Sequence, residues 1–484
     1  MDLKRRTLLK MLGTVAAGSV LPGCDREVHR LVPYLLPDDE IVPGLDTWYA
    51  SVCRQCEAGC GILVRTREGR AKKIEGNPSH PVSRGKVCAR GQAVVQELYH
   101  PDRLRGPLRR TGKRGSGQYE PLTWDEAIEL WVTHLAEHPG ASAMLSRPIP
   151  GTLADVFAGF FHSIGGQVLF YEPATELPTR QAERAVFGCA PYYDMAHCDH
   201  LLSFGAPFLD HWQSPVACGR AFGAMRQDRP TRRGRFIQLE PRLSLTAASA
   251  DEWIALRPGT EGLVALGIGQ ILLELGRPSL PPADAFASVY RRYRLTDVAA
   301  QSEVPEATLR RVAHELASAA APLIIGGGTA ASYTNSTSVM TAILGLNRLL
   351  GNLGKPGGVR LFKPSGFVHG RETPLGDRAV VDLLKTFETG EARILHLYQT
   401  DPVYGLPPST QCRRLLDHAE LIISFSSFLD DTTAMADLIL PDHTSLEAWG
   451  DVADPPMAPL ATVGLAQPVV LPLYDTRAVG DVWL

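Results

Sequence analysis

The chain has 484 residues, enough for two to four domains with large cores. It is 44% hydrophobic and 21% charged, ordinary for a globular protein. A formal net charge of −3 provides no basic field of the kind that draws nucleic acid or acidic lipid.

The first element is Lys4-Arg5-Arg6-Thr7-Leu8-Leu9-Lys10, a basic twin-arginine run. A short, weakly apolar stretch from Met11 to Pro22 follows, too short for an ordinary transmembrane helix and suited to a signal h-region. Residues 1–27 therefore predict a twin-arginine export signal and an extracytoplasmic, periplasmic destination. That route moves folded proteins, which suits a cofactor inserted before export. Leu21-Pro22-Gly23-Cys24 is similar to a lipobox and makes Cys24 a candidate lipidation site; a plain signal peptide with an incidental Cys is the alternative. One such anchor holds a protein at a membrane only modestly without partners. Residues 28–47, rich in Pro and Asp, read as a linker, and no later segment reaches about 18 uninterrupted apolar residues.

Cys53, Cys56 and Cys60 spell C-x2-C-x3-C, and Cys88 follows in Cys-Ala-Arg-Gly. Three thiols within eight residues are too close in sequence to pair sensibly as disulfides. Four thiolates suit a [4Fe–4S] cluster, one per iron. A structural zinc is the competing occupant, although zinc ribbons usually present two similar C-x2-C knuckles. Gly61–Thr66 and Ala71–Gly76 flank Arg67-Glu68-Gly69-Arg70, a hairpin pattern. Gly76-Asn77-Pro78 and His80-Pro81 are turn formers that allow Cys88 to return to the other three.

From about residue 106 the texture becomes α/β. Residues 124–137 have helical periodicity after a Thr123 cap. Strand-like runs occupy 143–146, 200–204, 235–239, 321–326, 394–398 and 421–425, with helical stretches at 262–275, 305–317 and 336–350. Strands alternating with helices predict parallel sheets, whose ligands sit at the carboxyl ends of the strands. Two such ends are Gly326-Gly327-Gly328-Thr329 and Ser424-Phe425-Ser426-Ser427; no complete G-x-G-x-x-G or Walker A motif occurs. His134-Leu-Ala-Glu137-His138 matches the H-x-x-E-H spelling of some zinc peptidases, but a solvated last helical turn accounts for it. Cys189, Cys198, Cys218 and Cys412 read as unreactive thiols in apolar surroundings.

The ordered set of motifs resembles the molybdopterin oxidoreductase superfamily of dimethyl sulfoxide reductase type. It comprises the cysteine quartet, Gly76-Asn77-Pro78-x-His80-Pro81, Leu98-Tyr99-x-Pro101-Asp102-Arg103-Leu104 and Glu240-Pro241-Arg242. Ala250-Asp251-Glu252-Trp253, Pro258-Gly259-Thr260-Glu261, Gly351-Asn352-x-Gly354-x-Pro356-Gly357-Gly358 and Ala436-Asp437-x3-Pro441-x5-Glu447 continue it. The segment from Ser203-Phe204-Gly205 to Trp212-x-Ser214-Pro215 looks like the large molybdopterin-like subunit of alternative complex III and of the periplasmic quinone reductase complex.

The resemblance implies an α/β fold: a small N-terminal β-rich [4Fe–4S] domain over 48–105, then two interleaved Rossmann-like parallel-sheet domains. The first would be discontinuous, 106–140 and 320–460, with 141–319 inserted. Residues 461–484 would lead into a C-terminal β-barrel-like domain that is expected to be missing. The resemblance assigns Cys53, Cys56, Cys60 and Cys88 to the cluster and puts Arg90 beside it, between cluster and pterin, as an aid to electron transfer.

Three departures bear on activity. No Cys, Ser or Asp stands a short way before Phe187-Gly188, where catalytic members ligate molybdenum; Glu176, and behind it Glu172, are the weak candidates. Asp401 brings a negative charge to the expected site of the pterin nucleotide. The chain stops at Leu484. The resemblance thus implies an iron–sulfur electron-transfer and scaffolding subunit of a membrane-associated periplasmic quinone oxidoreductase complex, with molybdopterin guanine dinucleotide doubted. Its expected partners are a ferredoxin-like iron–sulfur subunit, a multihaem cytochrome c and a quinone-binding membrane subunit. The alternative is a catalytic molybdopterin-dependent reductase of a sulfur compound or oxyanion.

Overall fold

The computed structural model describes residues 44–171, 176–227, 233–276, 285–362, 366–367 and 374–484. The twin-arginine segment, Cys24 and most of the 28–47 segment lie outside the described residues. The account below concerns the unit from Asp46 onward.

β1 (Asp46–Val52), β2 (Gly61–Arg67) and β3 (Arg70–Gly76) form an antiparallel three-stranded sheet. β2 and β3 are the expected hairpin. Glu68 and Gly69 between them both have positive φ, as a two-residue primed turn requires. β1 is a surprise, because Asp46 and Thr47 had read as linker. It pairs with β2 along its whole length, so the cysteine loop 53–60 spans two adjacent strands.

Next come β4 (Leu108–Arg110), β5 (Tyr119–Pro121), the helix Trp124–Glu137, β6 (Ser142–Ser146) and β7 (Gln167–Phe170). The helix starts on a capping box: Thr123 Oγ1 accepts from the Glu126 N–H, and Glu126 accepts from the Thr123 N–H at 2.9 Å. β8 (Pro191–Tyr193) pairs antiparallel with β13 (Val359–Leu361). β9 (His200–Phe204), β10 (Arg235–Leu239), β11 (Glu252–Ile254) and β12 (Pro322–Gly326) form a parallel sheet in the order β11-β10-β9-β12.

β14 (Ile394–Tyr398), β15 (Leu421–Ser424) and β16 (Leu438–Ile439) complete a seven-stranded sheet, β5-β4-β16-β15-β14-β6-β7. It is parallel from β16 to β7 and antiparallel at the β4–β5 edge. Along β14, Leu395 and Leu397 enter one core and Ile394 and Tyr398 the other, so the strand is buried on both faces. β17 (Gly450–Ala453) and β18 (Val463–Ala466) make a closing hairpin. Among the described residues the sheets are open and no closed barrel is present.

The boundaries between the two α/β units differ from those expected. β6 and β7 belong to the seven-stranded sheet rather than to an insert beginning at 141, and β12 belongs to the four-stranded sheet rather than to a segment beginning at 320. Each of these strands is a fully or largely apolar run that either sheet would accept. Pairing partners decide the assignment, and local composition does not encode them. Residues 461–484, read as a lead-in, pack back on the fold: β18 pairs with β17, and Trp483 lies 4.8 Å from Trp131, ring centre to ring centre.

Candidate functional site

The cysteine loop folds back on itself, with the Cys53 N–H donating to the Cys60 carbonyl at 2.8 Å. The fourth cysteine, Cys88, is the N-cap of the helix Ala89–Leu98, so its sulfur sits at the positive end of a helix dipole. All four cysteines line one cavity, closed by Val87, Arg90 and Gly91 and, from the other side, by Pro215 and Val216. A Cβ on Gly91 would stand 2.5 Å from Val87 Cγ2 and 3.7 Å from Cys53 Sγ, so a larger residue there would crowd the ligand loop.

Burial pushes the Cys53 thiol up to about 12 and raises Cys56 and Cys60 as well, with Arg90 opposing the rise at both of the latter. Buried thiolates this costly need a cationic centre to hold them ionised. No three His, Cys, Asp or Glu side chains among the described residues converge as ligands of a single metal ion do. Four sulfurs spread around one cavity fit a [4Fe–4S] cube better than one zinc, and the cluster would supply one-electron transfer. The pair His134 and His138 is not such a site: His138 Nε2 is 2.7 Å from Glu420, and His134 Nδ1 is 2.9 Å from the Leu130 carbonyl. Cys198, Cys218 and Cys412 are buried and Cys189 is half-buried.

A second, wider cavity opens at the carboxyl ends of β6, β14 and β15. Its wall includes Arg54, Gln55 and Glu97 from the cysteine segment, Arg147 after β6, Gln399 to Asp401 after β14, and Ser426 and Ser427 after β15. β14 connects onward to β15 while β6 lies on its other side, so this is the topological switch point of the sheet. Gln399, immediately after β14, holds a left-handed φ of 48°. Arg147 donates to the Arg54 carbonyl at 3.0 Å, but its buried Nε has no partner. Asp442, deep in the wall, is pushed up to about 6 by burial, against the Val479 N–H, Arg54 and the Tyr398 hydroxyl.

Asp401 does line this cavity, but its charge is committed. Its Oδ1 accepts from the Thr432 hydroxyl at 2.5 Å and from the N–H groups of Thr432 and Tyr404 at 3.2 Å each. The cavity therefore offers the two guanidiniums of Arg54 and Arg147 to an anionic group such as the phosphates of a nucleotide-bearing ligand. Gln55 lines both this cavity and the cysteine cavity, and its amide donates to Glu97. Arg90 lines the cysteine cavity alone of these two. Sequence reasoning missed Arg54, Gln55 and Arg147, because each carries no motif and gains meaning from the strand order.

Glu172 lies outside the described residues. Glu176 opens the helix Glu176–Phe187, with its side chain outside the described set. One turn on, Arg180 reaches Glu57 of the cysteine loop at 2.5 Å, tying this helix to the cluster segment. Glu183, buried and pushed up to about 7, accepts from the Tyr193 hydroxyl at 2.8 Å and from Gln213 at 3.1 Å.

Comparison with known proteins places these features. The model of the molybdopterin oxidoreductase Fe4S4 domain matches residues 46–100, and that of the molybdopterin oxidoreductase domain matches residues 103–475. The chain is 32% identical to the menaquinone reductase, molybdopterin-binding-like subunit of Nitratidesulfovibrio vulgaris, over 99% of this chain and 71% of that protein. It is 24% identical to the thiosulfate reductase molybdopterin-containing subunit of Salmonella typhimurium, over 100% of this chain and 68% of that one. Among solved structures, acetylene hydratase from Pelobacter acetylenicus superposes with a TM-score of 0.74 at 18% identity, covering 90% of this chain and 68% of its own, a likeness of fold.

Proposed function

This chain belongs to the molybdopterin oxidoreductase family, and within it we propose that the chain is an iron–sulfur electron-transfer and scaffolding subunit of a membrane-associated quinone oxidoreductase complex. The observation that carries this reading is the single cavity lined by Cys53, Cys56, Cys60 and Cys88. A cluster held there would exchange one electron at a time, and Gln55 would bridge from it to the neighbouring cavity. Similarity to a menaquinone reductase subunit supports a quinone-linked, multisubunit setting. We assign the complex to the periplasmic face on the twin-arginine run at Lys4-Arg5-Arg6, with Cys24 as a candidate lipid anchor. The partners proposed are a ferredoxin-like iron–sulfur subunit, a multihaem cytochrome c and a quinone-binding membrane subunit.

In this reading the chain works without molybdenum, although the matched domain is compatible with a molybdopterin cofactor. Metal analysis of anaerobically purified protein is expected to give about four irons and no molybdenum per chain. Stoichiometric molybdenum would overturn the reading.

The second reading, a catalytic molybdopterin-dependent reductase of a sulfur compound or oxyanion, is favoured by the open cavity beside Arg54 and Arg147. Similarity to a thiosulfate reductase subunit points the same way. Full molybdenum content in Glu176→Ala would then remove Glu176 as its ligand.

A further inference from the structure

The two parallel sheets have equivalent openings, and they are treated differently. In the four-stranded sheet β9 connects onward to β10 while β12 lies on its other side, so the switch point lies outside the carboxyl ends of β9 and β12. This is the counterpart of the cavity beside Arg147. Here, however, the two loops touch. Gly205, immediately after β9, has φ +64°, and a Cβ on it would stand 2.2 Å from Thr329 Oγ1. A Cβ on Gly328 would stand 2.3 Å from the Gly205 carbonyl oxygen.

The remaining space is taken by Trp212. Its side chain is fully buried, with its ring centre 5.5 Å from that of Tyr193. A Cβ on Gly327 would stand 2.6 Å from its Nε1. That Nε1 and Thr329 Oγ1 are both buried without a hydrogen-bond partner. A buried hydroxyl such as Thr329 Oγ1, left unpartnered beside a crevice that an indole fills, is what remains when a hydrogen-bonding ligand site is closed by a side chain. Three residues further on, Pro215 and Val216 cover the cysteine cavity, so one loop closes the crevice and roofs the cluster.

We propose that Trp212 plugs the switch point of the β9–β12 sheet, so that this sheet takes no nucleotide and the chain carries at most one dinucleotide, in the cavity beside Arg147. The residues thus fit one pterin dinucleotide and do not fit a second.

The test is a count. Acid release of guanosine monophosphate from purified, iron-loaded protein is expected to yield one equivalent or fewer per chain, and two equivalents would overturn the proposal. In calorimetric titration with guanosine monophosphate, Trp212→Ala is expected to bind one equivalent more than the wild type, with iron content unchanged. Equal stoichiometry in a folded variant would also overturn it. Should that variant fail to fold, the count on the wild type decides alone.

Discussion

Replacing Glu447 with alanine strikes the best-buried ion pair among the described residues. Arg103 and Glu447 both have side chains with no exposed surface. Arg103 donates to both carboxylate oxygens, one at 3.0 Å, and its guanidinium lies 5.2 Å from the Tyr474 ring centre. The same carboxylate accepts from the Thr444 N–H and hydroxyl at 2.9 Å each and from the Leu473 N–H at 2.8 Å.

Glu447→Ala leaves a buried guanidinium uncompensated, which costs about 3–5 kcal/mol. That is roughly a fifth or more of the 5–15 kcal/mol stability of an ordinary folded chain. Burial alone would raise the Glu447 carboxyl, but Arg103 and the N–H groups of Leu473 and Thr444 outweigh it and hold the group low. A depressed carboxylate contributes stability above its unfolded value of about 4.3, lost as pH falls through the folded value. The variant's deficit should therefore be full at pH 7 and shrink below about pH 4. Urea unfolding followed by tryptophan fluorescence supplies the number from the midpoint shift and slope. Arg103→Leu with Glu447→Leu removes both charges, and is expected to cost less than Glu447→Ala. A loss under about 1 kcal/mol in Glu447→Ala, or additive single and double variants, would refute the argument.

Other expectations follow from the sites. Cys88→Ser removes one thiolate from the cysteine cavity and should lower bound iron below the wild-type value, whereas Arg90→Gln should retain iron and shift the reduction potential; iron assay and redox titration separate the two. Gly91→Val drives side-chain atoms into Val87 and toward Cys53, and is expected to lose iron while keeping the far-ultraviolet dichroism of the wild type. His396 is held neutral by burial, its value pulled down to about 3, with Trp131 Nε1 donating to its Nε2 at 2.9 Å. The unfolded chain binds a proton there that the folded chain refuses, so stability should fall as pH drops from about 6.5 toward 3. His396→Gln should flatten that part of the stability profile.

The sequence was legible where chemistry or burial is local. Strands such as His200–Phe204 and Arg235–Leu239 are apolar runs short enough to be strands, and the helix Trp124–Glu137 announces itself by its cap and its periodicity. The cysteine quartet is legible because no other fold element needs thiols at that spacing. Val359–Leu361 and Leu438–Ile439 left no signal, since two or three residues carry no period and form strands only because a neighbour offers hydrogen bonds. Arg147 and Trp212 were opaque for another reason. Each matters through which strand lies beside which, and that order brings together residues more than 100 positions apart.

The seven-stranded sheet takes β6 and β7 from residues 142–170 and β14 to β16 from residues 394–439. The four-stranded sheet, by contrast, is drawn wholly from the stretch between them. A chain emerging from the ribosome can close the second sheet while the first still waits for its central strand. Pairing across so long an intervening loop is slow, because the loop's entropy must be given up before any contact forms. The pocket beside Arg147 thus takes shape after the four-stranded sheet can already have closed. Whatever occupies it must arrive after synthesis has passed β15, when the plugged crevice is already shut.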